Sequence, residues 1–174
     1  MQNYNYVDRL LGVWKKAVEA YAEGERAVDR FFTESESAFL ASIGMQDQEL
    51  FDFAEDYHNK AGVPDFTMMA MIQAVRRNYF YEVQKKQPAQ TVFEATRLPA
   101  KTDELEGIVW LPRIMAKAKA KLTGTLPADI MYGCSGDQQF FRENDIHPAE
   151  FLQLVWNHWE DQDGIVEWIK DRRS

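Results

Sequence analysis

The chain has 174 residues, of which 45% are hydrophobic and 13% aromatic, so it is long enough and apolar enough to bury a core. Its formal net charge of −8 disfavours nucleic acid as a partner, because binding to phosphate backbones needs clustered lysine and arginine. The single cysteine excludes an internal disulfide and fits a reducing compartment. The N-terminus lacks a signal-peptide pattern, and no uncharged apolar run approaches the roughly 20 residues of a membrane span. We therefore expect a cytoplasmic globular protein that binds neither nucleic acid nor membrane.

Apolar residues recur with helical spacing along most of the sequence, and this predicts an all-α fold. The predicted helices, in chain order, are Val7–Tyr21, a short capped helix near Ser35–Gly44, Gln48–Lys60, Pro64–Lys86, about Ile108–Leu122, Gly136–Glu143, Pro148–Trp159 and Gly164–Arg172. Residues 87–107 contain two prolines and little periodicity, so we predict a linker there. The linker would separate an N-terminal helical part, residues 1–86, from a C-terminal part, residues 108–174.

The two parts share an internal repeat. The stretch "FLASIGMQDQELFDFAEDYH", which begins at Phe39, aligns without a gap with "FFRENDIHPAEFLQLVWNHW", which begins at Phe140. The helices upstream of these stretches also align, with a shift of three residues that pairs Arg9 with Arg113. The alignment predicts a helical bundle built from two degenerate repeats of several helices each.

Several short motifs lie in the second half of the chain. They are Leu-Pro-Arg at 111–113, a lysine-rich helix ending in Gly-Thr at 124–125, Tyr-x-Cys at 132–134, Asp137, an aromatic pair at 140–141 and Glu-Trp-Ile at 167–169. Together they resemble a bacterial family of small helical proteins that is classed as a domain of unknown function. The resemblance covers roughly residues 105–170, and "GCSGD" departs from the more usual Asn-Cys-Pro-Leu-Asp. It implies a helical fold and candidate residues, but no reaction.

Three cations in this half share one face of a predicted helix. Arg113, Lys117 and Lys121 are spaced i, i+4 and i+8, and Thr125 follows the end of the helix. Arginine can bind a carboxylate or phosphate through two hydrogen bonds, lysine adds charge, and the threonine hydroxyl could donate a further bond. The pattern indicates a binding site for a small anionic ligand. The alternative is that the cations complement the helix dipole and pair with acidic neighbours.

Tyr132, Cys134 and Asp137 follow this helix and extend the candidate ligand site. Cys134 lies just before a predicted helix start, where a thiolate would be stabilised, so it could act as a nucleophile. No histidine adjoins it and no nucleophile elbow surrounds it, which favours a small buried apolar residue instead. We therefore assign no catalytic residue from the sequence.

One pair of residues has the spacing of a metal motif. Glu55 and His58 stand at i and i+3, as in di-iron helical bundles, but such sites need a second motif of the same kind. The aligned positions in the second repeat are Trp156 and Trp159, so the sequence lacks that second motif. We predict neither a metal site nor a cofactor.

The helix predicted from Pro64 carries more apolar surface than one face can bury. Its large apolar residues include Phe66, Met68, Met69, Tyr79 and Tyr81. Such a surface is typical of an interface, either between the two repeats or with a protein partner, which includes a second copy of the chain.

Our leading functional hypothesis is a non-enzymatic helical interaction or assembly module. It depends on the repeat, on the apolar helix and on the lack of a complete catalytic constellation in the sequence. The alternative is a small anionic ligand-binding protein or enzyme that uses the face of Arg113, Lys117 and Lys121 with Cys134 and Asp137.

Overall fold

The computed structural model describes residues 3–173, and helices make up most of this range, which confirms the predicted all-α class. The chain divides into two compact units between Lys86 and Gln87. None of the helices within residues 3–173 has the length and apolar character needed to cross a membrane.

Residues 3–86 of the first unit form four α-helices and one 3-10 turn. These elements are α1 (Tyr6–Ala22), the 3-10 turn (Val28–Arg30), α2 (Glu34–Ser42), α3 (Asp47–Asn59) and α4 (Phe66–Glu82). Helices α1 and α3 pack together around a core cluster that contains Ala17, Tyr21, Phe31, Phe51 and Ala54. The Phe51 ring lies 5.8 Å from Tyr21 and 4.8 Å from Phe31, both in edge-to-face contacts, so aromatic packing holds this unit together.

Helix α4 is shorter than the sequence predicts. The Asp65 carboxylate caps its start by accepting a hydrogen bond from Met68 N, and the helix ends at Glu82 instead of Lys86. Lys85 and Lys86 adopt left-handed backbone angles, and Lys86 N donates to Phe80 O at 2.9 Å. The chain therefore turns back on the last helical turn before Pro88 is reached, and apolar periodicity does not reveal such a turn.

Residues 87–173 of the second unit form a 3-10 turn, a short hairpin and four further helices. They are the turn Ala95–Arg97, the antiparallel strands β1 (Glu104–Leu105) and β2 (Ile108–Val109), and helices α5 (Leu111–Thr123), α6 (Ser135–Glu143), α7 (Pro148–Asn157) and α8 (Gln162–Arg173). The turn and β1 lie within the segment that the sequence predicts as a linker. Helix α5 begins at Leu111 and not at Ile108, because Ile108 and Val109 form β2.

The aligned twenty-residue stretches agree in where their helices begin, although α3 has 13 residues and α7 has 10. Helices α2 and α6 are each nine residues long, and their first residues are 101 positions apart in the chain, as are the first residues of α3 and α7. After each short helix comes one residue with positive φ, which is Gly44 (75°) in the first unit and Asp145 (53°) in the second. In each stretch the next amide bonds back into the helix, from Met45 N to Leu40 O at 3.0 Å and from Ile146 N to Phe141 O at 2.9 Å.

A corresponding ion pair occurs in each unit. Lys16 of α1 pairs with Glu36 of α2, and Lys117 of α5 pairs with Asp137 of α6. The partners are 20 residues apart in both pairs, and the two lysines are 101 positions apart, which is the spacing of the aligned stretches. The spacing of these two lysines thus differs from the shift of three residues that the sequence alignment uses for the upstream helices.

Asp52 of α3 holds its carboxyl group in an unfavourable environment. Its pKa is raised to about 7, mainly because burial disfavours the carboxylate and also because Glu55, Glu49 and Asp56 add negative charge nearby. A hydrogen bond of 2.7 Å from Gln48 Nε2 opposes the shift in part. The folded state thus binds more protons than the unfolded state, so the contribution of Asp52 to stability falls as pH rises from 3.8 to about 7.

Replacing Asp52 should increase stability only at pH values at which its carboxyl group is charged. We expect Asp52→Asn to raise the free energy of unfolding by on the order of 1–2 kcal/mol at pH 8 and to change it little at pH 4. Urea denaturation at the two pH values measures the difference. An equal gain at both would mean that the benefit comes from packing and not from the charge.

Candidate functional site

A buried ion pair lies at the centre of the predicted ligand site. Lys117 on α5 is 3% exposed, Asp137 on α6 is 0% exposed, and Lys117 Nζ donates a hydrogen bond to Asp137 Oδ2. The same carboxylate oxygen accepts a bond of 2.9 Å from Gly133 N, and Oδ1 accepts one of 3.0 Å from Trp110 Nε1. With three donors on the carboxylate, the pair meets the condition for burying two charges, which is that their remaining hydrogen-bonding capacity is satisfied.

Cys134 adjoins this ion pair. It is the N-cap residue of α6, it is partly exposed, and its Sγ accepts a hydrogen bond of 3.4 Å from Lys117 Nζ. An ammonium group and the start of a helix both stabilise negative charge on sulfur. The structure therefore brings Lys117, Cys134 and Asp137 together, as the candidate site requires.

Trp110 and Gly136 also belong to this cluster, and the sequence does not point to either. Trp110 has a left-handed backbone (φ 73°) that separates β2 from α5, and its indole reaches the first turn of α6. A Cβ atom at Gly136 would lie 2.8 Å from Trp110 Cζ2, so only glycine leaves room for the ring. The available signal was a glycine in the first turn of a helix, where it is otherwise unfavourable.

Tyr132 serves the packing of the second unit. Its side chain is 1% exposed, and its hydroxyl donates to Pro148 O at 2.7 Å. Burial, and secondarily the negative charge of Asp137, hold the pKa of Tyr132 well above its usual value. The phenol therefore stays protonated near neutral pH and donates to the start of α7.

The other predicted ligand groups have different surroundings. Arg113 Nη1 donates to Pro99 O at 2.7 Å, and its guanidinium lies 5.7 Å from the centre of the Trp110 ring. Lys121 is 1% exposed, and Thr125 Oγ1 lies 2.9 Å from Thr123 Oγ1. The cationic face of α5 is thus buried in part, and it differs from an open clamp at the protein surface.

The predicted interface residues of α4 pack within the chain. Met69 is 0% exposed and Tyr79 is 8% exposed, while Phe66, Met68 and Tyr81 are partly buried. The Phe66 ring lies 5.6 Å from the Trp14 ring, and the Tyr81 hydroxyl donates to Ser42 O at 3.1 Å.

The structure also places the residues of the sequence-level metal motif. Glu55 Oε1 accepts a bond of 2.8 Å from the Tyr21 hydroxyl, and His58 is exposed beside the Tyr21 ring at 5.4 Å. Within residues 3–173 no group of three or more histidine, cysteine or acidic residues has the arrangement to hold a metal ion.

Residues 94–174, slightly less than half of the chain, match the family model DUF5069, described as a domain of unknown function. The match begins just before the 3-10 turn of the second unit and includes the whole of the Lys117, Cys134 and Asp137 cluster. It confirms that this part of the chain is related to an uncharacterised family. Comparison with curated proteins and with solved structures finds no match to the chain.

The buried pair should contribute far more to stability than its exposed counterpart. Lys117→Met should lower the free energy of unfolding by about 3–5 kcal/mol, because it leaves the Asp137 carboxylate buried without a cation. Lys16→Met removes the corresponding lysine, which is 54% exposed, and should cost at most about 1 kcal/mol. Urea denaturation of both variants gives the two values.

A double variant distinguishes the contribution of the ion pair to stability from the contribution of side-chain packing. Adding Asp137→Asn to Lys117→Met removes the uncompensated charge, so the combined loss should be smaller than the sum of the two single losses. Additive losses, or equal losses for the two lysine variants, would contradict the role of the buried pair.

The contact between Gly136 and Trp110 gives a second stability prediction. Gly136→Ala forces the indole to move and should cost about 1–3 kcal/mol. Gly12→Ala in α1 is the matched control, because no atom lies within 4 Å of a Cβ there, and it should gain up to about 1 kcal/mol from helix propensity. Thermal denaturation followed by circular dichroism compares the two variants. A Gly136→Ala variant as stable as the parent would contradict the close contact between Gly136 and the Trp110 ring.

Proposed function

We propose that this protein is a non-enzymatic helical module of the bacterial cytoplasm that acts by binding another protein chain. The single observation that carries the proposal is the burial of Lys117 against Asp137. A soluble anion would have to displace a carboxylate that also accepts bonds from Trp110 and Gly133. Such a displacement would leave Asp137 buried without its cation, which is costly.

The neighbouring groups support the same conclusion. Arg113 Nη1 donates to Pro99 O and the Tyr132 hydroxyl donates to Pro148 O, so these two donor groups already have partners in the second unit. Donors that bind carbonyl oxygens of their own chain have less capacity left for a ligand.

Helix α4 offers apolar surface for a partner. Met71 is 47% exposed, although residues on either side of it along the helix, such as Met69 and Ile72, are fully buried. Methionine is flexible and apolar, and adaptable binding surfaces often use it. We therefore place the partner contact on the exposed side of α4.

We further propose that the two units descend from one duplicated helical ancestor. The proposal is supported by the equal spacing of the aligned helices and of the two ion pairs along the chain. The motif pattern of residues 111–169 would then belong to the copy that retained the family sequence.

The experiment compares one exposed apolar position with one exposed polar position. Met71→Glu should weaken association at least about tenfold, because it places a charge where a partner would bury apolar surface. Thr102→Glu adds the same charge at an exposed position of the second unit and should leave association unchanged. Solution mass by light scattering detects self-association, and capture with tagged protein from a bacterial lysate detects other partners.

The proposal is contradicted by either of two results. One is a wild-type chain that stays monomeric and captures no partner. The other is an association that the two variants weaken equally.

A second candidate function is binding of a small anionic ligand, with or without chemistry at Cys134. One specific observation favours it, because Arg113 Nε is buried and finds no hydrogen-bond partner within the described chain. A thermal-shift screen of phosphorylated and carboxylated metabolites tests this function on wild type and Arg113→Ala. Stabilisation of the wild type alone would favour the ligand, and equal curves would favour the interaction module.

A further inference from the structure

We propose that Lys117 and Cys134 form an oxidation-dependent cross-link, in which peroxide oxidises the thiol and Lys117 Nζ then bonds to the sulfur. The two atoms lie 3.4 Å apart across the interface of α5 with the start of α6. The inference concerns a modification of the chain, and it does not depend on whether the protein binds a partner.

Three features favour reaction between these two residues. Lys117 is 3% exposed and is fixed by its bond to Asp137, so its ammonium cannot move away into solvent as a surface lysine would. Cys134 is partly exposed, so a small oxidant can reach the sulfur from outside. Cys134 is also the single cysteine of the chain, so no disulfide within the chain competes for the oxidised sulfur.

The environment favours oxidation of this sulfur. Thiolates react with peroxide, and both the Lys117 ammonium and the N-terminus of α6 stabilise negative charge on Sγ. The backbone of the same residue is engaged in the helix, because Gln138 N donates to Cys134 O at 2.8 Å. The sulfur is therefore held at the helix terminus while the reaction proceeds.

The first step forms a sulfenic acid. The thiolate attacks one oxygen of hydrogen peroxide, the S–O bond forms, the O–O bond breaks, and the leaving hydroxide takes the thiol proton to become water. Sulfur is oxidised by two electrons, and the peroxide is reduced by the same two.

The second step forms the link without further oxidant. Lys117 passes one ammonium proton to the Asp137 carboxylate, and its lone pair attacks sulfur, so that the N–S bond forms and the S–O bond breaks. A second nitrogen proton leaves with the hydroxide as water. Sulfenic acids are known to condense with nitrogen in this way. Overall, thiol, ammonium, carboxylate and one peroxide give a sulfenamide, a carboxylic acid and two waters.

The link would change the electrostatics of the cluster as well as its covalent structure. The cation of the buried pair disappears, and Asp137 becomes a neutral acid that still accepts bonds from Gly133 N and Trp110 Nε1. No unpaired charge is left in the interior, so the cross-linked protein can keep its fold.

The test treats the folded wild-type chain with a few equivalents of hydrogen peroxide and measures its mass. We expect a species about 2 Da lighter than the starting chain, because condensation removes two hydrogens and adds no oxygen. Trypsin should no longer cleave after Lys117, a linked peptide should contain Lys117 and Cys134, and a thiol reductant should restore the original mass.

Two controls keep the result independent of folding defects. Wild type oxidised in urea should gain oxygen and form no link, because the two residues are no longer held together. Lys117→Arg keeps a cation beside Asp137 but supplies a poor nucleophile, so its Cys134 should also gain oxygen.

Three outcomes would overturn the proposal. They are folded wild type that only gains oxygen at Cys134, folded wild type that does not react, and a product about 2 Da lighter that forms equally in urea or in Lys117→Arg.

Discussion

The second unit depends on one electrostatic constraint, which is that Asp137 carries its charge where water does not reach. A buried carboxylate is tolerated only when a cation and further donors satisfy it. Lys117, Gly133 and Trp110 supply these donors from three different parts of the chain. These bonds join α5, α6 and the residue before α5 at one carboxylate, and the position of the Trp110 ring in turn requires glycine at position 136.

The first unit has an ion pair with the same spacing, but its lysine is not buried. Its Lys16–Glu36 pair has the same spacing, but the lysine is 54% exposed and the glutamate also closes a capping box with Thr33. An ion pair in that setting contributes little to stability. The two pairs therefore differ in burial as well as in the acid, which is glutamate in the first unit and aspartate in the second.

The sequence predicts much of the fold, because amphipathic periodicity is a local property that helices express wherever they pack. It predicts less of the site. The i, i+4, i+8 spacing places Lys117 correctly on a shared face of α5, but it cannot show that Asp137, 20 residues further on, meets that lysine in the interior. The sequence predicts that Ile108 belongs to the helix, because two apolar residues in a hairpin strand have the same pattern as one helical turn. The backbone of Trp110 depends on that hairpin, so it could not be predicted either.

The two short helices α2 and α6 differ in their N-cap residue, which is Thr33 in α2 and Cys134 in α6. Thr33 caps α2 through its hydroxyl, whereas Cys134 stands at the equivalent position of α6 and makes no capping bond. A threonine or serine cap is worth about 1 kcal/mol, and a thiol is a poor substitute for it. A chain optimised for thermostability alone would thus carry a hydroxyl at residue 134. The sulfur therefore has a thermodynamic cost at that position, and the start of α6 is less stable than a hydroxyl cap would make it.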